Sequence, residues 1–94
     1  MAMWNQWDQT IIDAIDGRLK LTFRYHAEMR TVEPHTFGQD TKGHKALSAY
    51  QINKGWRFFH LAEIRDLLIA GPFVGVRDGY SRADSRMQRI YAEL

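Results

Sequence analysis

Three observations predict a mainly β fold with flanking helices. Apolar and polar residues alternate with period two from residue 19 onward, apolar residues near both ends of the chain recur at helical spacing, and the segments between strands are too short for parallel crossovers. Strands joined this way pair antiparallel. Five short strands that must hide their edges favour a strongly bent sheet or small SH3-like barrel, with an N-terminal and a C-terminal helix packed on its open ends. The 94 residues hold one domain around one core, residues 1–94.

A helix is expected over residues 5–16. Trp4, Trp7, Ile11, Ile12 and Ile15 form a stripe, Asn5 can cap its start, Asp8 answers the cap and the helix dipole, and Gly17 can take the left-handed conformation that ends it. The barrel follows over about 19–70. Leu19, Leu21, Phe23 and Tyr25 alternate with Lys20, Thr22 and Arg24 in the first strand, and residues 26–28 turn the chain. A second strand over 29–33 stops near Pro34, and an extended stretch over 36–39 follows the bend.

Asp40-Thr41-Lys42-Gly43 is a turn by composition. Residues 45–53 and 56–60 form a hairpin through Lys54-Gly55, with Leu47, Ala49 and Gln51 on one face and Ser48, Tyr50 and Ile52 on the other. Phe58 and Phe59 are consecutive in a strand, so they point to opposite faces. After a short turn over 61–64 comes a last strand over 65–70, ended by Gly71-Pro72, and then an irregular loop over 71–81. A closing helix over 82–93 has Ser81 as cap and Ala83, Met87, Ile90, Tyr91 and Leu94 along one side.

Composition excludes several function classes. The chain has no cysteine, so it has no disulfide framework, thiolate metal site or cysteine nucleophile. The start lacks a basic region followed by an apolar run, and the longest apolar stretch, residues 67–70, is far too short to cross a bilayer. A cytoplasmic protein with no membrane partner is expected. Thirteen basic against eleven acidic residues give a formal charge of +2, only mildly basic for a surface that would neutralise many phosphates.

Four segments stand in an order and spacing that resemble the WYL domain over roughly residues 11–73. They are Ala14-Ile15-Asp16-Gly17-Arg18-Leu19-Lys20-Leu21-Thr22-Phe23-Arg24-Tyr25, Arg30-Thr31-Val32-Glu33-Pro34-His35, Leu47-Ser48-Ala49-Tyr50-Gln51, and Gly55-Trp56-Arg57-Phe58-Phe59-His60-Leu61-Ala62-Glu63-Ile64. The resemblance implies an SH3-like or Sm-like barrel of a kind usually attached to a DNA-binding, nuclease or helicase domain as a ligand-sensing or nucleic-acid-sensing module. It implies a stand-alone version here, with a tail like Gly79-Tyr80 followed by Met87 and Ile90-Tyr91. The Trp-Tyr-Leu triplet that names the family falls on Lys45, Ala46 and Leu47, and His60 and Glu63 stand where basic residues are common. These departures weaken a phosphate pocket more than they weaken the barrel.

Read for chemistry, the ligand-binding candidates are Ser48, Tyr50, Arg57 and His60, with His35 shaping the bend or lining the pocket. Ser48 and Tyr50 share a strand face, and Arg57 is expected opposite it on the next strand, with His60 of the other parity unless the strand bulges. A hydroxyl, a phenol and a guanidinium fork suit a phosphate or a flipped base. Each also has an ordinary structural role available, as strand hydroxyl, half-buried core or surface ion-pair partner. The alternative set for nucleic acid is Trp56, Arg77, Arg86 and Arg89; stacking of Trp56, Phe58, Tyr25 or Phe37 on single-stranded bases competes with burial of those rings in the core.

His26, His35, His44 and His60, with Glu28 or Glu33, show no close helical spacing of a known zinc site, so no metal and no cofactor are expected. Ser48, His60 and Asp66 could be written as a triad, yet nothing resembles a nucleophile elbow, so no catalytic residue is expected. The expected function is non-enzymatic: a regulatory module that senses or sequesters a nucleotide or other phosphorylated small ligand. The rivals are a domain that binds single-stranded nucleic acid, and a protein-interaction subunit. The last would use Trp4 and Trp7, and a homo-oligomer, as a dimer, is the expected assembly.

Overall fold

The computed structural model describes residues 6–94. One helix, α1 (Asp8–Gly17), precedes the strands β1 (Leu19–Tyr25), β2 (Glu28–Asp40), β3 (Lys45–Gln51) and β4 (Gly55–His60). A single 3-10 turn (Leu61–Glu63) leads to β5 (Arg65–Pro72), and β6 (Met87–Glu93) closes the chain.

The 13-residue β2 organises the sheet. Its first part pairs with β1, from Val32 opposite Leu21 to Glu28 opposite Tyr25, and its last part pairs with β6, from Thr36 opposite Glu93 to Asp40 opposite Met87. β3 runs along its other edge from Val32, opposite Gln51, to Gln39, opposite Lys45. β1 and β6 therefore occupy successive halves of one edge, and the bulge between Pro34 and Thr36 bends β2 between them. The strand expected to stop at Pro34 continues through the bend, because proline there costs only one ladder N–H and the bulge absorbs it.

The sheet order is β4-β3-β2-β1-β5, with β6 added beside β2. All pairs are antiparallel, as expected, but the described residues form six strands and not five. Among the described residues no ladder joins β4 to β5, so the sheet is strongly bent and open, without the closure of a barrel.

The helix lies over one face of the sheet. Ile11, Ala14 and Ile15 are buried against Leu21, Phe23, Val32, Phe37, Leu47, Ala49 and Phe59, and Phe59 meets Phe23 and Tyr25 edge-on with centroids 4.9 Å apart in both pairs. Phe37 and Tyr25 are thus core rings and not bases' stacking partners. Asp8 is fully buried and pairs with Lys45 Nζ at 2.5 Å, tying the first helical turn to the start of β3. The expected cap Asn5 lies outside the described residues, as does Trp4; the N-cap position is Trp7, which makes no side-chain cap bond and packs half-buried on the core. Arg18, not Gly17, takes the left-handed conformation (φ 53°), and its N–H closes the helix onto the Ala14 and Ile15 carbonyls.

The expected C-terminal helix is absent. Residues 87–93 form a strand, and Asp84 and Ser81 serve local contacts instead of capping: Asp84 accepts from the Arg86 N–H and side chain, and Ser81 Oγ bonds the Arg82 carbonyl. The reason is tertiary. β1 leaves β2 at Val32, so residues 36–40 would expose an unpaired edge, and β6 supplies its partner. Gly38 permits the close approach, since a Cβ there would lie 2.1 Å from the Arg89 carbonyl oxygen.

Candidate functional site

The side of the sheet away from α1 carries the site. Register places Tyr50 opposite Trp56, Ser48 opposite Phe58 and Ala46 opposite His60, so these side chains share one face. Arg57 stands opposite Ala49, on the other face, where it is exposed. The hairpin parity expected from sequence is therefore reversed: His60 joins Ser48 and Tyr50, and Arg57 does not. Phe59 points into the core and Phe58 away from it, as alternation requires.

The loop between β5 and β6 folds over this face and delivers two arginines. Arg77 forks onto Glu33 through Nε at 2.6 Å and Nη2 at 3.2 Å, and its guanidinium lies 4.4 Å over the Tyr50 ring. The Glu33 carboxylate raises the Arg77 pKa above its ordinary value. Arg86 grips Asp84 through Nε at 3.0 Å and Nη2 at 2.6 Å, donates from Nη2 to Ser48 Oγ at 3.2 Å, and sits 4.4 Å over the Phe58 ring. This hydrogen bonding holds the Asp84 carboxyl below its usual range. Arg86 Nη1 has no partner among the described residues.

His35 supports the arrangement from the bend of β2. It is fully buried, with Nδ1 2.8 Å from the Glu33 carbonyl and Nε2 3.1 Å from the Arg77 N–H. That pair of partners requires the neutral ring, protonated on Nδ1 and accepting at Nε2. Burial is the main cause that lowers its pKa. The ring also packs edge-on to Trp56 at 4.7 Å and against Tyr80 at 5.1 Å.

Trp56 and Tyr80 lie nearly parallel, 6.2 Å apart and 19° between planes, and Trp56 Nε1–H donates to the Asp78 carbonyl. Gly79 makes this approach possible: its φ is +91° and an added Cβ would meet Trp56 Nε1 at 3.0 Å. Between this aromatic wall and Arg86 opens a cleft of about 310 Å³ that Ser48 also lines. A second hollow of about 480 Å³, lined by Asp40, His44, Phe58, His60 and Arg86, adjoins it across the guanidinium.

The structure thus brings together Ser48, Tyr50, His35, Trp56, Arg77 and Arg86, with His60 at the margin. Arg89, on β6 opposite Gln39, lines neither hollow. Asp66 pairs with Arg24 at 2.8 Å, and Ser48 Oγ accepts from Arg86. Tyr80, Asp84, Asp40 and His44 belong to the site but were not expected there. Only Gly79-Tyr80 carried a signal, as part of the family-like tail.

No family model matches the chain, and no curated protein does. Among solved structures it is similar to proteasome accessory factor B/C (PafBC) of Arthrobacter aurescens, with 25% identity and a TM-score of 0.70 over 84% of this chain. The chain spans 14% of the length of that protein. The likeness supports a WYL-related fold. None of the helices among the described residues is long and apolar enough to cross a membrane.

Proposed function

We propose that this domain is a regulatory module whose output is the capture of a nucleotide-like, phosphorylated ligand in the cleft beside Arg86. The observation that carries the reading is the setting of that guanidinium. Asp84, Ser48 and Phe58 fix it in place, it keeps donors at Nη1, and it borders an open cleft with an aromatic wall of Trp56 and Tyr80. A fixed fork suits a phosphate, and a flat ring suits a base. The likeness to a segment of PafBC supports a module that acts by binding. Because Asp84 and Glu33 already neutralise both arginines, a modest affinity is expected, with hydrogen-bond geometry more important than net charge.

Titration calorimetry with mononucleotides, cyclic oligonucleotides and inorganic phosphate tests this reading. Arg86→Ala should weaken binding about 10- to 100-fold, the worth of a charge-assisted hydrogen bond. Arg57→Ala, on the opposite face, should change it by less than about twofold. If no member of the panel binds, or if Arg86→Ala binds like the parent, the reading fails. If short single strands alone bind, with affinity falling steeply in salt, the nucleic-acid reading replaces it.

A further inference from the structure

We propose that Asp40, His44 and His60 form a binding site for a divalent transition metal, with zinc the best match to its donors. The three residues offer one ligand atom each, all within 4.8 Å of one another. Three atoms so spaced have a common point within about 2.8 Å of each, and a shift of under about 1 Å per group brings them to zinc–nitrogen and zinc–oxygen bond lengths. Two imidazoles and one carboxylate are a donor set that favours zinc and its neighbours over calcium or magnesium.

The surrounding bonds orient these atoms. Asp40 ends β2, and its Oδ1 accepts from the Lys42 N–H at 3.0 Å and the His44 N–H at 2.8 Å, which locks the turn. Oδ2 is left facing His60 Nε2 at 3.7 Å and His44 Nδ1 at 3.8 Å. Both separations are too long for hydrogen bonds, and both suit two ligands of one ion. The backbone of the loop is fixed as well, by Asp40 N–H to the His44 carbonyl and Gly43 N–H to the Asp40 carbonyl. The remaining nitrogen of His60, Nδ1, faces Glu63 Oε2 at 3.7 Å, a shift of under about 1 Å from the bond by which a carboxylate steadies a metal-bound imidazole, while Glu63 also accepts from His26 and Tyr25.

Asp40 is nearly buried while His44 is exposed and His60 half-exposed, so an ion can enter from solvent. The open coordination positions would face the hollow that Phe58 and Arg86 also line. Sequence spacing does not show this site. Asp40 and His44 close the turn between β2 and β3, and His60 arrives from the end of β4, opposite Ala46.

The test is zinc titration of the untagged chain, by calorimetry and by competition with a chelating dye. One ion per chain should bind with micromolar affinity, and His44→Ala and His60→Ala should each weaken it about tenfold or more. Arg57→Ala, on the opposite face of the sheet, should leave it within about twofold. Nitrogen-detected spectra of the imidazoles should show zinc moving His44 Nδ1 and His60 Nε2, and not His35. Absence of one-to-one binding at micromolar zinc overturns the proposal, as does binding that neither His44→Ala nor His60→Ala weakens.

Discussion

Replacing His35 with phenylalanine separates two hydrogen bonds from a packing contact. The ring is fully buried between Trp56, Phe73 and Tyr80, and phenylalanine keeps an aromatic ring there but is larger by about one methylene, so any overpacking adds to the loss of the hydrogen bonds. The bond to the Glu33 carbonyl and the one from the Arg77 N–H are lost. One neutral bond removed and one part-buried donor left unmet amount to about 2 kcal/mol, a fall in Tm of about 8–16 °C for a domain of this size. Thermal unfolding followed by circular dichroism measures it. Acidity adds a second, independent signature. Burial lowers the His35 pKa in the folded chain, so as pH falls below the unfolded value of about 6.5 the unfolded chain takes up the proton first. The stabilisation by His35 is complete above that pH and declines as pH falls toward the folded pKa. His35→Phe lacks this group, so the gap between parent and variant should narrow from about pH 7.5 to about pH 5. A gap below about 0.5 kcal/mol at the higher pH, or one that widens on acidification, would refute the assigned tautomer and its partners.

Lys45→Met removes the ammonium that pairs with the buried Asp8 carboxylate and should destabilise the chain by about 3–5 kcal/mol in urea unfolding, whereas Asp8→Leu combined with Lys45→Met should recover part of the loss. Gly38→Ala drives a methyl into the Arg89 backbone; the expected cost is at least about 1–3 kcal/mol, with faster amide exchange confined to residues 87–93 as β6 separates from β2. Phe59→Ala removes the ring that Phe23 and Tyr25 pack against and should destabilise by about 3–5 kcal/mol, while Phe58→Ala should cost far less and act on ligand binding.

Strand positions were legible in the sequence wherever burial on one face imposed period two. β1, the β3–β4 hairpin and the opposite orientations of Phe58 and Phe59 all follow from it. β6 was not legible, because Met87, Ile90, Tyr91 and Leu94 suit one side of a helix equally well. What decides is the unpaired half of β2, far earlier in the chain, and no local pattern reports it. Arg57 was misplaced by one residue of register. The turn takes Ile52, Asn53 and Lys54, with left-handed φ at Asn53, and this sets Arg57 against Ala49. The site depends still more on tertiary structure: Ser48, Tyr50 and His35 were legible as ligand candidates and Trp56, Arg77 and Arg86 as nucleic-acid candidates, but their meeting depends on an irregular loop that carries Arg77, Tyr80, Asp84 and Arg86 over the sheet. That the loop reaches Trp56 at all depends on Gly79.

The most direct measurement of ligand capture beside Arg86 uses the tryptophan indoles in a ¹H–¹⁵N spectrum during nucleotide titration. Trp56 Nε1–H is held by the Asp78 carbonyl at the wall of the cleft, and Trp7 packs on the core beneath the opposite face. The Trp56 indole resonance should move in a saturable way while that of Trp7 stays in place, and Arg86→Ala should abolish the movement. A ligand that binds while the Trp56 resonance remains fixed would place its site elsewhere on the domain and contradict the assignment.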